Sequence, residues 1–234
     1  MTKIQNFNLW QKNCIYYQAL KIIFKNTKLS QINCFKFKTM NKLPNIFKIK
    51  SKILPSPGKY LISEPLMNEG IFGRSVIIIT EHSEQGSLGY VLNKPSGFVI
   101  SQLLPQFKNF SSQVYIGGPV ATNTVHFIYK SDKPISKSVQ IDEHLYWGGD
   151  INELLERMTS NKLTENDVRF FVGYSGWGKK QLQNELQNGY WIVYSFPISH
   201  LFEEDVSHLW KRSVLQLERK YHFWLNVPTN PSLN

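Results

Sequence analysis

The sequence predicts an α+β protein, a single compact domain in which a mostly antiparallel or mixed sheet carries interspersed helices. Three observations lead there. Strand-like segments outnumber helical ones, and the helices fall between them without a regular βαβ rhythm. Arg74-Ser-Val-Ile-Ile-Ile-Thr80 is a continuous β-branched run of the kind covered on both faces. Ile151, Leu154, Leu155 and Met158 recur at i, i+3, i+4 and i+7, the stripe of an amphipathic helix.

The elements follow in order. Pro55 and Pro57 bar helix from the lead-in Lys50–Gly58, so the fold should begin near Gly58. Lys59–Ser63 reads as a short strand ended by Pro65, Arg74–Thr80 as the second, and Leu88–Leu92 as a third, stopped at Asn93-Lys94-Pro95. Val99–Leu104 suits a short helix halted by Pro105. Val114–Ile116 and Thr124–Tyr129 read as strands around the turn Gly117-Gly118-Pro119-Val120. Asp150 is placed to cap a helix over 151–159. Val168–Val172 reads as a strand, Lys179–Gln187 as a helix closed by Gly189, and Tyr190–Tyr194 as another strand. Val206, Leu209, Trp210, Val214 and Leu217 form the last helical stripe.

The formal charge of +10 is concentrated at one end. Residues 1–59 hold 12 Lys and no acid, so the remaining 15 basic residues face all 17 acidic ones and the body carries −2. Residues 1–57 therefore read as a basic, disordered extension, and 58–234 as the domain. A body at −2 argues against direct DNA binding.

The extension lacks the unbroken apolar centre of a secretory signal, since Gln18 and Lys21 interrupt Ile15–Leu20. Its lack of acid suits an organellar transit peptide, but it has no Arg. Ile15, Ala19, Ile22 and Ile23 could line a membrane-surface helix. The simplest reading is that translation starts at Met40, which leaves residues 1–39 outside the working protein. The expected location is cytoplasmic, or organellar if residues 1–39 are a transit peptide. No apolar run approaches the roughly 20 residues of a membrane span.

The two cysteines, Cys14 and Cys34, both lie in the extension, so the body offers no disulfide or thiol nucleophile. The six histidines show no metal-ligand spacing, and no metal or cofactor is expected. Gly173-Tyr-Ser-Gly-Trp-Gly178-Lys179-Lys180 spells G-x-x-x-x-G-K between a predicted strand and a predicted helix. Lys180 stands where a phosphate-cradling loop needs Ser or Thr for Mg²⁺, so nucleotide hydrolysis is not expected. A glycine-rich strand-to-helix turn could still offer backbone N–H groups to an anion. Ser175 lacks the final glycine of a nucleophile elbow, since Trp177 occupies it, yet could act if His82 or His126 reached it. Glu81-His82 and Asn93-Lys94-Pro95 are expected in loops, where binding residues concentrate.

These strings resemble the YqgE/AlgH family of small bacterial proteins with plastid relatives. The resemblance covers about residues 58–226. It rests on ordered blocks: Gly58–Pro65, Phe72–Val76 running to Glu81-His82, Gly86–Pro95, Gly117–Val120, Tyr146–Asp150, and Phe171–Trp177 with Gln181-Leu182 and Glu185. It implies a single α+β domain and transfers no catalytic residue. Lys179 and Lys180 depart from the family's pattern of small residues there, which tells against a shared phosphate site. Some members have been labelled transcriptional regulators, although nothing here resembles a helix-turn-helix.

Two functions compete. The first is a binding or regulatory module acting through an unidentified small-molecule or protein partner. The second is a hydrolase with a Gly-lined site around Ser175, His82 and Asn93, with His126 as a further candidate. A transcriptional regulator without a recognisable DNA-binding motif is a third. Candidate ligand-binding residues are Arg74, His82, Asn93, Pro95, Gly117, Gly118, Pro119, Gly173, Ser175, Gly176, Trp177 and Gln181.

Overall fold

Ten strands and four α-helices organise the described residues of the computed structural model, which are 51–67, 70–202 and 205–227. The readings of residues 1–39, including the Met40 start and the stripe from Ile15 to Ile23, lie outside them.

The strands are β1 (Tyr60–Ser63), β2 (Val76–Ser83), β3 (Gly86–Val91), β4 (Pro95–Val99), β5 (Gln113–Ile116), β6 (Val120–Lys130), β7 (Val139–Asp142), β8 (Leu145–Trp147), β9 (Val168–Gly178) and β10 (Trp191–Tyr194). The helices are α1 (Ile100–Leu103), α2 (Ile151–Thr159), α3 (Gln181–Gln187) and α4 (Leu209–Gln216), with short 3-10 turns between. The sheet runs β10-β1-β2-β3-β9-β6-β8-β7, with β4 and β5 attached through β9. All pairings are antiparallel except β5 with β9, so the sheet is mixed and the fold is α+β, as expected.

The β-branched run Val76–Ile79 is buried in β2 with no exposed face. One side of the sheet packs Leu61, Ile77, Ile79, Val91, Trp177 and Trp191 against Leu182 of α3. Each Leu or Ile so buried contributes about 2 to 3 kcal/mol. On the far side, Trp210 of α4 donates its indole N–H to the Ser63 carbonyl at 3.0 Å. The sheet is open but strongly curved, for a Cβ at Gly58, just before β1, would lie 2.8 Å from the Ile141 carbonyl of β7.

Local chemistry sets the helix ends. Asp150 accepts the N–H groups of Asn152 and Glu153 at the start of α2, satisfying donors that the helix leaves unpaired. Leu104 closes α1, and Pro105 after it opens a 3-10 turn.

Two expectations need correction. Gly173–Gly178 is not a strand-to-helix turn, because β9 continues through Gly178 and pairs with β3 from Gly86↔Gly178 to Gly89↔Ser175. Glycines 176 and 178 lack a bulky side chain, not an extended backbone, and the ladder to β3 holds them extended. Helix α3 begins only at Gln181, after Lys180 in the left-handed conformation (φ 61°). The Gly178 N–H at the end of β9 is taken by Gln181 Oε1 at 3.0 Å. His82 is likewise not in a loop but inside β2, opposite Ser87. Pro95 opens β4, opposite Tyr115.

Candidate functional site

The glycine motifs meet at one joint. Residues 170–172 of β9 pair with β5 on one side and with β6 on the other. The chain leaving β5 at Ile116 must therefore cross β9 before entering β6 at Val120. It does so on Gly117-Gly118-Pro119, backbone against backbone. A Cβ at Gly117 would strike the Gly173 carbonyl, and one at Gly118 would overlap the Tyr174 carbonyl. Gly173 (φ 68°) takes a conformation that favours glycine, and its own Cβ position faces the Gly118 carbonyl. Ser175, 1% exposed, donates its hydroxyl to the Gly117 carbonyl at 3.0 Å. That carbonyl also accepts the Val91 N–H at 2.9 Å, while Gly117 N–H donates to Val172. Ser175 is thus a fastener of the crossing, and its proton goes to a backbone carbonyl and not to a histidine.

The other motif residues are engaged in the same way. Asn93 clamps the start of β2, accepting the Val76 N–H at 3.0 Å and donating to the Arg74 carbonyl at 2.9 Å. Lys94 Nζ donates to the Gly73 carbonyl at 2.8 Å. These two hold Arg74 at φ 49°, with its guanidinium over the Trp210 ring and bonded to the Val227 carbonyl. Trp177 is buried, and its indole N–H reaches Glu185 Oε2 at 2.8 Å. Gln181 accepts the Gly178 N–H and donates to Glu185 Oε1, tying α3 to the end of β9. Pro95 and Gly176 are exposed, and Pro119 is half-buried.

The two candidate histidines lie in different settings. His82 Nδ1 is 2.7 Å from Ser87 Oγ across the β2–β3 ladder, and partial burial lowers its pKa. His126 is buried on β6, where desolvation pushes its pKa down to about 4, so it is neutral at pH 7. The Thr124 hydroxyl donates to the Ala121 carbonyl at 2.7 Å, so it accepts from His126 Nε2 at 2.8 Å. The imidazole is therefore the Nε2–H tautomer, with Nδ1 as its acceptor nitrogen.

His126 also anchors an aromatic group that the sequence reading did not single out. Its ring lies 5.5 Å from that of Tyr90 and edge-on to Tyr174 at 5.9 Å. Tyr90 is fully buried, its hydroxyl accepts the Trp147 indole N–H at 2.9 Å, and burial drives its pKa well up. Tyr174 is half exposed, its ring close to Gly176, and burial raises its pKa more modestly. Beside it β6 is irregular between Val120 and Val125, with Ala121 at φ 47°. There Thr122 and Asn123 are half exposed and make no side-chain hydrogen bond among the described residues. A neutral histidine behind an aromatic ring, with open polar groups at its edge, suits the binding of a partly apolar group. Tyr174 lay in plain view between Gly173 and Ser175; the strand alternation that separates it from its buried neighbours was the usable signal. Among the described residues no three His, Cys, Asp or Glu are placed to hold a metal ion.

Comparison with known proteins agrees with this architecture. Residues 60–222 match the model of a family described as AlgH-like. A UPF0301 protein of Bacteroides thetaiotaomicron is 36% identical over 197 residues, covering 83% of this chain and all of that protein. One from Chlorobium limicola is 35% identical over 178 residues, covering 76% and 95%. A crystal structure of a Corynebacterium diphtheriae protein superposes with TM-score 0.66 at 23% identity, over 75% of this chain and 94% of that one. The solution structure of AlgH from Pseudomonas aeruginosa gives TM-score 0.56 at 22% identity, over 81% and 98%. The two structures share the fold.

Proposed function

The chain belongs to the AlgH-like family, and from that premise we propose that it is a binding or regulatory module acting through a small-molecule or protein partner. One observation carries the reading: the buried Ser175 hydroxyl, the best nucleophile of the motifs, gives its single proton to the Gly117 carbonyl. A serine nucleophile must instead give its proton to a base. Asn93, Gln181 and Trp177 are bonded within the frame in the same manner. The bend where β6 and β9 meet is the surface we assign to the partner. Tyr174 offers a ring face, and Thr122 and Asn123 offer polar groups, above the neutral His126.

The test is a thermal-shift screen of the whole chain against nucleotides, phosphorylated metabolites and simple anions, followed by affinity capture with the same protein. A ligand at 100 times its dissociation constant adds about 2.7 kcal/mol, which raises the melting temperature by several degrees. Partner binding should fall in Tyr174→Ala and Asn123→Ala and survive in Ser175→Ala. Covalent labelling of the wild type by a fluorophosphonate, lost in Ser175→Ala, would overturn the proposal in favour of the hydrolase.

A further inference from the structure

Among the described residues, His82, His200 and His208 each lie within hydrogen-bond reach of a serine hydroxyl. Ser213, beside His200, is fully buried and closed to a reactant. Ser207, beside His208, gives its single proton to Asp205 Oδ1. Ser87 differs from both. Its Oγ lies 2.7 Å from His82 Nδ1, and this is the one side-chain hydrogen bond of either residue among the described residues. Were Nδ1 the donor, the serine proton would lack an acceptor in a residue 9% exposed, so the hydroxyl donates and the ring carries its own proton on Nε2. Partial burial holds the His82 pKa below its usual value, so the imidazole is neutral at pH 7 and can take a proton. Ser175 gives its proton to a carbonyl, whereas Ser87 gives its proton to a base.

The ladder fixes where this pair stands. Ser87 lies opposite His82 of β2 on one side and opposite Trp177 of β9 on the other, so the three share one face of the sheet. Trp177 packs with Leu182, which makes this the α3 face. Tyr174, three residues earlier on β9, points to the other face, so the pair is separate from the bend assigned to the partner. His82 and Ser87 are the first pair inside the hairpin that closes at Ser83 and Gly86, and His82 is exposed there. Glu81 and Glu84 flank the histidine in sequence and make no ion pair among the described residues. Their charge disfavours an anionic phosphoryl donor and leaves an uncharged acyl donor unopposed.

We propose that Ser87, with His82 as its base, is a covalent modification site that takes an acyl group from small uncharged activated esters.

In this step Ser87 Oγ attacks the acyl carbon and forms the new C–O bond while its proton passes to His82 Nδ1. The tetrahedral adduct then expels the leaving group, which departs with that proton, and Ser87 remains as an ester. No carboxylate bonds His82 among the described residues, although serine hydrolases use one to orient the imidazole and stabilise its cation. One acyl transfer is therefore expected, and not turnover. The ester would also remove the hydrogen bond that joins β2 to β3 near the hairpin, a local change suited to regulation.

The experiment incubates the full chain with p-nitrophenyl acetate, or with a fluorophosphonate, and locates the modified residue by peptide mass spectrometry. The wild type should gain one acetyl group on Ser87, and Ser87→Ala should lose that label. His82→Gln should slow the labelling about 100-fold, the contribution of a general base, while its circular dichroism matches the wild type because the ring is exposed. Ser175→Ala should label as the wild type does. Labelling confined to lysines, or none, would overturn the proposal. So would an unchanged rate at Ser87 in His82→Gln, which would leave the serine without a base. Release of p-nitrophenol beyond one equivalent, lost in Ser87→Ala, would also overturn it, by making the pair a hydrolase.

Discussion

Trp177 donates its indole N–H to Glu185 Oε2 across 2.8 Å inside the core, and Trp191 of the remote strand β10 donates to the same oxygen at the same distance. With Gln181 on Oε1, one buried carboxylate binds α3 to both β9 and β10. A carboxylate taken out of water is costly unless its lone pairs are met, and here they are met by three donors.

Removing that acceptor should be expensive. Glu185→Ala strands two buried indole donors, at about 1 to 3 kcal/mol each, and leaves a cavity. Glu185→Gln keeps one oxygen but loses the charge, so its cost should be about 1 to 2 kcal/mol. Urea unfolding reads both as a lowered midpoint, with the larger shift for alanine. Equal shifts would mean that packing, and not the hydrogen bonds, fixes α3.

The extent to which the sequence revealed this arrangement varied with the physics. Val76–Ile79 announced β2 because β-branched side chains favour a strand wherever it lies, and Asp150 announced α2 because a cap acts locally. Strands β4, β7 and β8 were not read. Pro95 and Gly97 look like loop residues, and β7 is four residues long with Ile141 alone buried. The passage of β9 through Gly176 and Gly178 was hidden because it depends on the distant partner β3. The motif spacing could not give the contacts its residues make, such as that of Ser175 with Gly117, 58 positions apart.

Ser175→Ala should cost only about 1 kcal/mol, the worth of one hydrogen bond, because the Gly117 carbonyl keeps the Val91 N–H. Trp177→Ala, which empties a large core site, should cost about 3 to 5 kcal/mol. Denaturant unfolding of the two variants checks the ratio. A Ser175→Ala loss as large as that of Trp177→Ala would mean that the crossing over β9 hangs on this one hydroxyl.

Acid should weaken the fold through His126. Its folded pKa of about 4 lies below the unfolded value of 6.5, so the unfolded chain binds the extra proton between those limits. The stability is complete at pH 7, begins to fall as pH drops through about 6.5, and has lost about 3 kcal/mol by pH 4. Glu64, whose pKa burial raises, works in the opposite sense, gaining stability as pH falls toward the usual carboxylate range. His126→Gln removes the first contribution alone. Unfolding free energies of wild type and variant between pH 7 and 4 should therefore converge as pH falls, and parallel curves would show that the imidazole titrates normally.

Gly118 and Gly97 make a paired test of the crossing over β9. Gly97 sits at φ 84° with nothing near its Cβ position, so Gly97→Ala meets only the backbone penalty of about 1 to 2 kcal/mol. Gly118 has no such conformational demand, yet its Cβ would overlap the Tyr174 carbonyl and press on the Ser175 nitrogen. Those atoms cannot withdraw, because β9 is bonded there to Val120 on one side and Gly89 on the other. Gly118→Ala should therefore cost more than about 4 kcal/mol, the range of a disrupted core, despite its permissive dihedral angles. Near-ultraviolet circular dichroism and a melting curve would show a native Gly97→Ala and an unfolded or molten Gly118→Ala. The reverse order would mean that the chain passes β9 with room to spare, and that Gly118 is held by its backbone angles and not by its neighbour.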